Sequence, residues 1–167
     1  VGLRAARQLN ANVIGVVQQL AGDKDPQVRR ECVLALHHNK AAEAAALWTA
    51  LATKYDGKDR WYLEALGIGA ADQWDKFFDE FVANVKDPLK NGATRDIVWR
   101  ARTGKTLPLL QKLASDSSVD WKSRQRYFRA FDFNPGKNKS GILIQMIASN
   151  TANNADLNAL LLHHLDP

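Results

Sequence analysis

Apolar positions along this chain recur every three or four residues and almost never alternate. In "WDKFFDEFVANV", Trp74, Phe77, Phe78, Phe81, Val82 and Val85 follow the i, i+3, i+4 rule, while Asp75, Asp79 and Glu80 fall off the stripe. "AAALWTALATKY" does the same with Ala44, Leu47, Trp48, Leu51, Ala52 and Tyr55. "LPLLQKLA" and "LNALLLHHL" repeat it with Leu107, Leu110 and Leu113, and with Leu157, Leu160, Leu161 and Leu165. No period-two run bounded by turn residues interrupts them. The pattern predicts an all-α chain.

Breakers such as "GDKDP", "YDGKD", "KDPLKNG", "SDSSVD" and "NPGKNKSG" fall at short intervals. They cut the chain into roughly eleven helices of ordinary length. The connections are short, so successive helices are expected to be antiparallel neighbours in one domain spanning 1–167.

One spacing recurs. Asp25 precedes Arg29 by four residues, and Asp56–Arg60, Asp96–Arg100 and Asp120–Arg124 repeat it, where composition alone gives roughly one such pair. Each is expected to open a helix, with the Asp capping exposed amides and the Arg joining an intrahelical pair or a ladder to the next repeat. Pro26 suits the first helical position behind Asp25. Leu36, Leu66 and Phe131 then plug the gap between helices. Units offset by 31, 40 and 24 residues, with two helices each, predict an α-α superhelix. The expectation is a HEAT/armadillo-like solenoid of about five helical pairs.

Composition adds little. The 167 residues suffice for a real core, and the net charge of +5 with a pI near 9.4 is compatible with an acidic partner without identifying one. No apolar run approaches the ~20 residues of a membrane span, so no membrane insertion is expected. "VGLRAARQLN" reads as mid-helix, with Leu3, Ala6 and Leu9 on one side, rather than as a signal peptide. The chain is therefore expected to be a piece of a longer protein. Apolar ends near Leu3 and Leu9, or near Leu161 and Leu165, would then make self-association possible.

"DPQVRRECVLAL" resembles a HEAT repeat, with Asp-Pro at the turn and Val-Arg opening the second helix. "KYDGKDRWYLEALGIGA", "WDKFFDEF", "RDIVWRAR", "LPLLQKLA" and "RYFRAFDF", in that order, resemble the HEAT-repeat region of large multidomain haem-binding, membrane-bound dehydrogenase-like proteins of planctomycetes, verrucomicrobia and Bacteroidetes. The resemblance covers roughly residues 1–150. It implies a propeller similar to quinone-dependent sugar dehydrogenases before the repeats, a c-type cytochrome domain after them, and an exported or periplasmic parent. This stretch holds no Cys-x-x-Cys-His, so the implied haem belongs elsewhere, and no cofactor, metal or catalytic residue of the family maps onto it.

The candidate chemistry is sparse. "TGKT" at 103–106 lacks the upstream glycine and strand of a phosphate loop, since position 99 is Trp. His37–His38 and His163–His164 are adjacent pairs whose side chains, on a helix, would diverge by about 100°, so neither pair is expected to chelate one metal as i, i+4 histidines can, and both read as helix-end histidines. Cys32 lies on an apolar stripe and reads as a buried thiol. "NKS" at 138–140 fits a glycosylation sequon, which matters only in a eukaryotic secretory setting. No catalytic constellation emerges, and the segment is read as non-enzymatic.

The remaining signal is basic and aromatic. Arg60, Trp61 and Tyr62; Arg95, Trp99, Arg100 and Arg102; and Arg124, Arg126, Tyr127 and Arg129 occupy similar places in successive units. They are expected to line one face of the superhelix, the concave one. Three readings remain open: core residues plus an Asp–Arg ladder, a protein interface, and a nucleic-acid groove. They rank in that order. The function expected is a scaffold that presents a face to a protein or spaces flanking domains of its own chain. The alternative is a nucleic-acid-binding protein resembling helical-repeat DNA glycosylases.

Overall fold

The computed structural model describes residue 2 and residues 12–134, 138–150 and 154–165. The helix expected around Leu3, Ala6 and Leu9 lies outside them. Among the described residues the chain is all-helical, with ten α-helices and no strand. It divides into two compact units, Val1–Arg100 and Ala101–Pro167, where the sequence reads as one domain.

The first unit holds α1 (Val13–Leu20), α2 (Pro26–Ala35), α3 (Ala44–Ala52), α4 (Arg60–Gly69), α5 (Trp74–Val85) and α6 (Gly92–Arg100). Alternate helices pack on one another: α1 on α3 and α3 on α5, α2 on α4 and α4 on α6. Consecutive helices touch as well, from α1 through α4, so the unit is two rows of helices joined by short turns. Arg30, midway along α2, reaches back to Asp59 at the start of α4, and His38 faces Asp72 just past the ends of both, so these two helices run parallel. Gly69 lets them close up, because a Cβ there would sit 2.5 Å from the Val33 carbonyl oxygen.

The apolar stripes go inward. On α5, Trp74, Phe77, Phe78 and Phe81 are buried while Asp75, Asp79 and Glu80 are exposed, so the 3.6-residue period survives packing intact. Trp48 sits among them, edge-on to Trp74 and Phe81 with centroids 5.7 and 6.1 Å away, and Phe77 is 5.8 Å away. Its indole N–H donates to the Leu66 carbonyl at 3.0 Å, which satisfies the ring's one polar atom and pins α3 to α4. Tyr62 Oη donates to the Leu51 carbonyl at 3.0 Å and makes a second pin between the same helices. Leu36 and Leu66 are fully buried between the rows.

The second unit repeats the scheme with α7 (Leu107–Ser115), α8 (Trp121–Ala130), α9 (Lys139–Ser149) and α10 (Ala155–Leu165). α7 pairs with α8 and α9 with α10, while α7 packs on α9 and α8 on α10. Leu107, Leu110, Leu113, Phe128, Phe131, Leu143, Met146 and Leu161 form its core. Single-turn 3₁₀ segments at Gly104–Thr106 and Phe131–Phe133 lead into α7 and out of α8. The first is all that "TGKT" becomes: Thr103 Oγ1 caps it by accepting from Lys105 N at 3.2 Å.

Candidate functional site

The recurrent arginine has a different register from the one read in the sequence. Asp25 and Asp120 do cap α2 and α8, accepting from Gln27 N and Ser123 N. Asp56 does not cap α4. Its carboxylate accepts from Lys58 N, and Asp59 is the cap, accepting from Trp61 N and Tyr62 N at 2.9 and 3.1 Å. Asp96 lies inside α6, whose cap is Asn91, accepting from Thr94 N at 3.0 Å. The arginines that follow a cap by four residues are Arg29, Arg95 and Arg124. Each turns its head back onto the preceding segment. Arg29 Nη1 donates to the Asp23 carbonyl at 2.7 Å, Arg95 Nε to Leu89 at 2.7 Å, and Arg124 Nε to Ala114 at 2.7 Å. A guanidinium in place of water satisfies the carbonyls where one helix hands over to the next.

Of the residues expected on a concave face, Arg60 and Trp61 open α4 and point outward; Trp61 is 71% exposed. Ile68, seven residues on and about 20° around the helix, is 44% exposed. Tyr62 is core: its ring stacks on Tyr55 with centroids 6.0 Å apart, and burial raises its phenol above the ordinary range. Arg29 lies 5.8 Å from the centre of that ring. Trp99 is half-buried. Arg100 lays its guanidinium over Gly67 of α4, where a Cβ would run into it, and pairs with Glu64 at 3.0 Å. Tyr55 donates from Oη to Asp96 Oδ2 at 3.2 Å.

In the second unit, Tyr127 is buried and also belongs to the core, while Arg126 is half-buried and Arg129 exposed. Arg102 lies over the exposed ring of Phe133, 4.9 Å from its centre, and donates to the Ala101 carbonyl at 3.2 Å. Arg102, Phe133, Asp132 and Asn134 edge a shallow depression of about 400 Å³. Asp132 is engaged there by His164 Nδ1 at 3.0 Å and Lys139 Nζ at 3.3 Å. Tyr62 and Tyr127 are thus the two face candidates that packing moves inward. In each, the ring follows the buried stripe of its own helix.

Cys32 is fully buried, and burial, with the Asp23 and Glu31 charges behind it, pushes its thiol from 9.0 up to about 11, which leaves no thiolate for chemistry near neutrality. His37 and His38 lie beyond the last helical residue, Ala35, and their ring centroids are 3.6 Å apart. The divergence expected of neighbours on a helix does not hold there. The signal that could have shown this is the length of the apolar stripe, which stops at Leu36.

Among the described residues no helix is long and apolar enough to cross a membrane. Compared with known proteins, the chain matches no family model, no curated protein and no solved structure.

Proposed function

We propose that this chain is a non-catalytic helical-repeat scaffold, a HEAT-like α-α superhelix whose work is to hold protein surfaces in place. The observation that carries the reading is the two-row packing, in which α1, α3 and α5 form one row and α2, α4 and α6 the other. Such stacking buries a continuous core that no single hairpin could close, and it leaves an extended outer surface for contact. Trp61, with Ile68 behind it on α4, is the aromatic anchor of that surface. The resemblance to HEAT regions of dehydrogenase-like multidomain proteins makes the partners flanking domains of the same chain, a propeller and a c-type cytochrome in an exported parent.

The nucleic-acid alternative loses ground on the arginines. Arg29, Arg95 and Arg124 spend their heads on backbone carbonyls, and Arg100 on Glu64. The test has two parts. The reading frame on either side is sequenced, and a propeller upstream with Cys-x-x-Cys-His downstream supports the spacer role; flanks without them remove it. Duplex DNA binding is then measured at about 50 and about 200 mM salt, where a protein making several phosphate contacts loses affinity steeply. No binding is expected at either. A steep salt slope would replace the scaffold with the nucleic-acid reading.

A further inference from the structure

The parallel helices α2 and α4 end alike. Three residues past the last helical residue, Ala35 and Gly69, each chain enters the left-handed region at φ 62°, at His38 and at Asp72. The turns share their hydrogen bonds. His37 N donates to Leu34 O and Asn39 N to Leu36 O; Ala71 N donates to Ile68 O and Gln73 N to Ala70 O. Glycine or asparagine is the usual occupant of such a position, because a Cβ there crowds the following carbonyl oxygen. Here a histidine and an aspartate stand in equivalent places of neighbouring turns, and their side chains meet, Nδ1 to Oδ2 at 3.3 Å. His37 lies against His38 at a 31° tilt. One ligand atom from each of His37, His38 and Asp72 lies within 4.8 Å of the other two.

We propose that His37, His38 and Asp72 form a surface site for a late first-row divalent cation of the Zn(II) class. Two imidazoles and one carboxylate are the donors such ions take, and they do not suit Ca(II) or Mg(II), which prefer oxygen alone. Ligand atoms on a tetrahedral zinc are roughly 3.4 Å apart, given bonds of ~2.0–2.1 Å. His38 and Asp72 already stand near that spacing, and the exposure of both side chains lets the third donor close in. Two helix C-termini aim their partial negative charge at the spot, which favours a cation. Three protein ligands leave a fourth position for water or for a donor from another molecule. The bound ion would tie the ends of α2 and α4 together, which a lone exposed His–Asp pair does only weakly.

The test uses the untagged full chain. Zn(II) binding is measured by calorimetry, and Co(II) is added as a spectroscopic probe of tetrahedral ligation. One ion per chain is expected, with visible d–d absorption of tetrahedral Co(II). His38→Asn and Asp72→Asn both keep a residue that tolerates the left-handed turn, so both should fold, as thermal unfolding without metal will verify. Each is expected to weaken Zn(II) binding at least tenfold, the low end of what even an outer-shell partner is worth. His163→Gln, at the end of α10, should bind as the wild type does. Absence of binding at ~1 mM Zn(II), an affinity too weak to stabilise the fold at micromolar metal, would overturn the proposal. So would undiminished binding by His38→Asn and Asp72→Asn, or loss of binding in His163→Gln.

Discussion

Arg100 Nε meets Glu64 Oε2 at 3.0 Å, and the guanidinium reaches it by lying across Gly67. The absent side chain at position 67 and the ion pair are therefore one feature. A Cβ on Gly67 would displace a flexible side-chain end, whereas a Cβ on Gly69 would press on the Val33 backbone carbonyl, which cannot swing aside.

The two glycines should consequently respond differently to alanine. Gly69→Ala forces α2 and α4 apart and is expected to cost about 2–3 kcal/mol, as overpacked cores do. Gly67→Ala loses the Arg100–Glu64 contact but gains helix propensity of up to ~1 kcal/mol, so its net effect should stay within about 1 kcal/mol. In an Arg100→Ala background only the gain remains, and Gly67→Ala should stabilise. Urea unfolding of the four variants in a double-mutant cycle checks this. Additive effects of Gly67→Ala and Arg100→Ala would mean that the two residues do not interact.

The arginines that fold back onto preceding carbonyls should matter more than those that point outward. Arg29→Met, Arg95→Met and Arg124→Met keep the aliphatic stem and lose only the charged donor. Each is expected to lower stability by about 1.5–3 kcal/mol, the range for hydrogen bonds from charged groups. Arg60→Met and Arg129→Met, at exposed positions, should stay within about 0.5 kcal/mol. Equal losses across all five, read by chemical denaturation, would show that the carbonyl contacts carry no stability.

These arginines also mark where the sequence was legible and where it was not. The stripe of Trp74, Phe77, Phe78 and Phe81 identifies α5 because a 3.6-residue period has one physical cause, a single buried face. The cap-to-arginine rule was visible in outline, and Asp25 and Asp120 obey it. It failed at Asp56 and Asp96 because an Asp four residues before an Arg caps a helix only if the helix starts there. Asp59 and Asn91 compete for the two starts, and spacing alone does not choose between neighbouring caps. Tyr62 and Tyr127 read as face residues because aromatic and basic residues cluster beside them, yet each falls on the buried stripe of its helix. The His37, His38 and Asp72 group was illegible for another reason. It joins turns 34 residues apart and depends on two left-handed residues that no periodicity announces.

Trp48 should be the single most costly core residue in the first unit to simplify. Trp48→Phe keeps an aromatic ring against Phe77 and Phe81 but removes the indole donor to the Leu66 carbonyl, which keeps its bond from Ala70 N, and opens space beside Trp74. The lost hydrogen bond and the smaller ring together should cost about 2–4 kcal/mol. Tyr62→Phe removes the hydroxyl, which donates to the Leu51 carbonyl and lies near the Arg29 guanidinium, and should cost about 1 kcal/mol. Thermal unfolding that ranks these two in the opposite order would count against Trp48 as the pin between α3 and α4.

Cys32 supplies a test of burial and of pH together. In the native chain its thiol should resist an aqueous thiol reagent at neutral pH and react only at the rate of unfolding, since the side chain is fully buried. Rapid stoichiometric labelling would place it at the surface instead. The pH dependence follows from the raised value, about 11 in the folded chain against an ordinary 9.0. Between these the unfolded thiol loses its proton while the folded one keeps it, so the unfolded state binds fewer protons and stability falls as pH rises. The contribution of Cys32 is therefore complete below about pH 9 and lost by about pH 11. Cys32→Ala should remove that part of the alkaline decline while costing some stability at pH 7 through the space it leaves beside Val33. Denaturant midpoints of wild type and Cys32→Ala that fall in parallel from pH 8 to about 11 would show that the thiol does not titrate with folding.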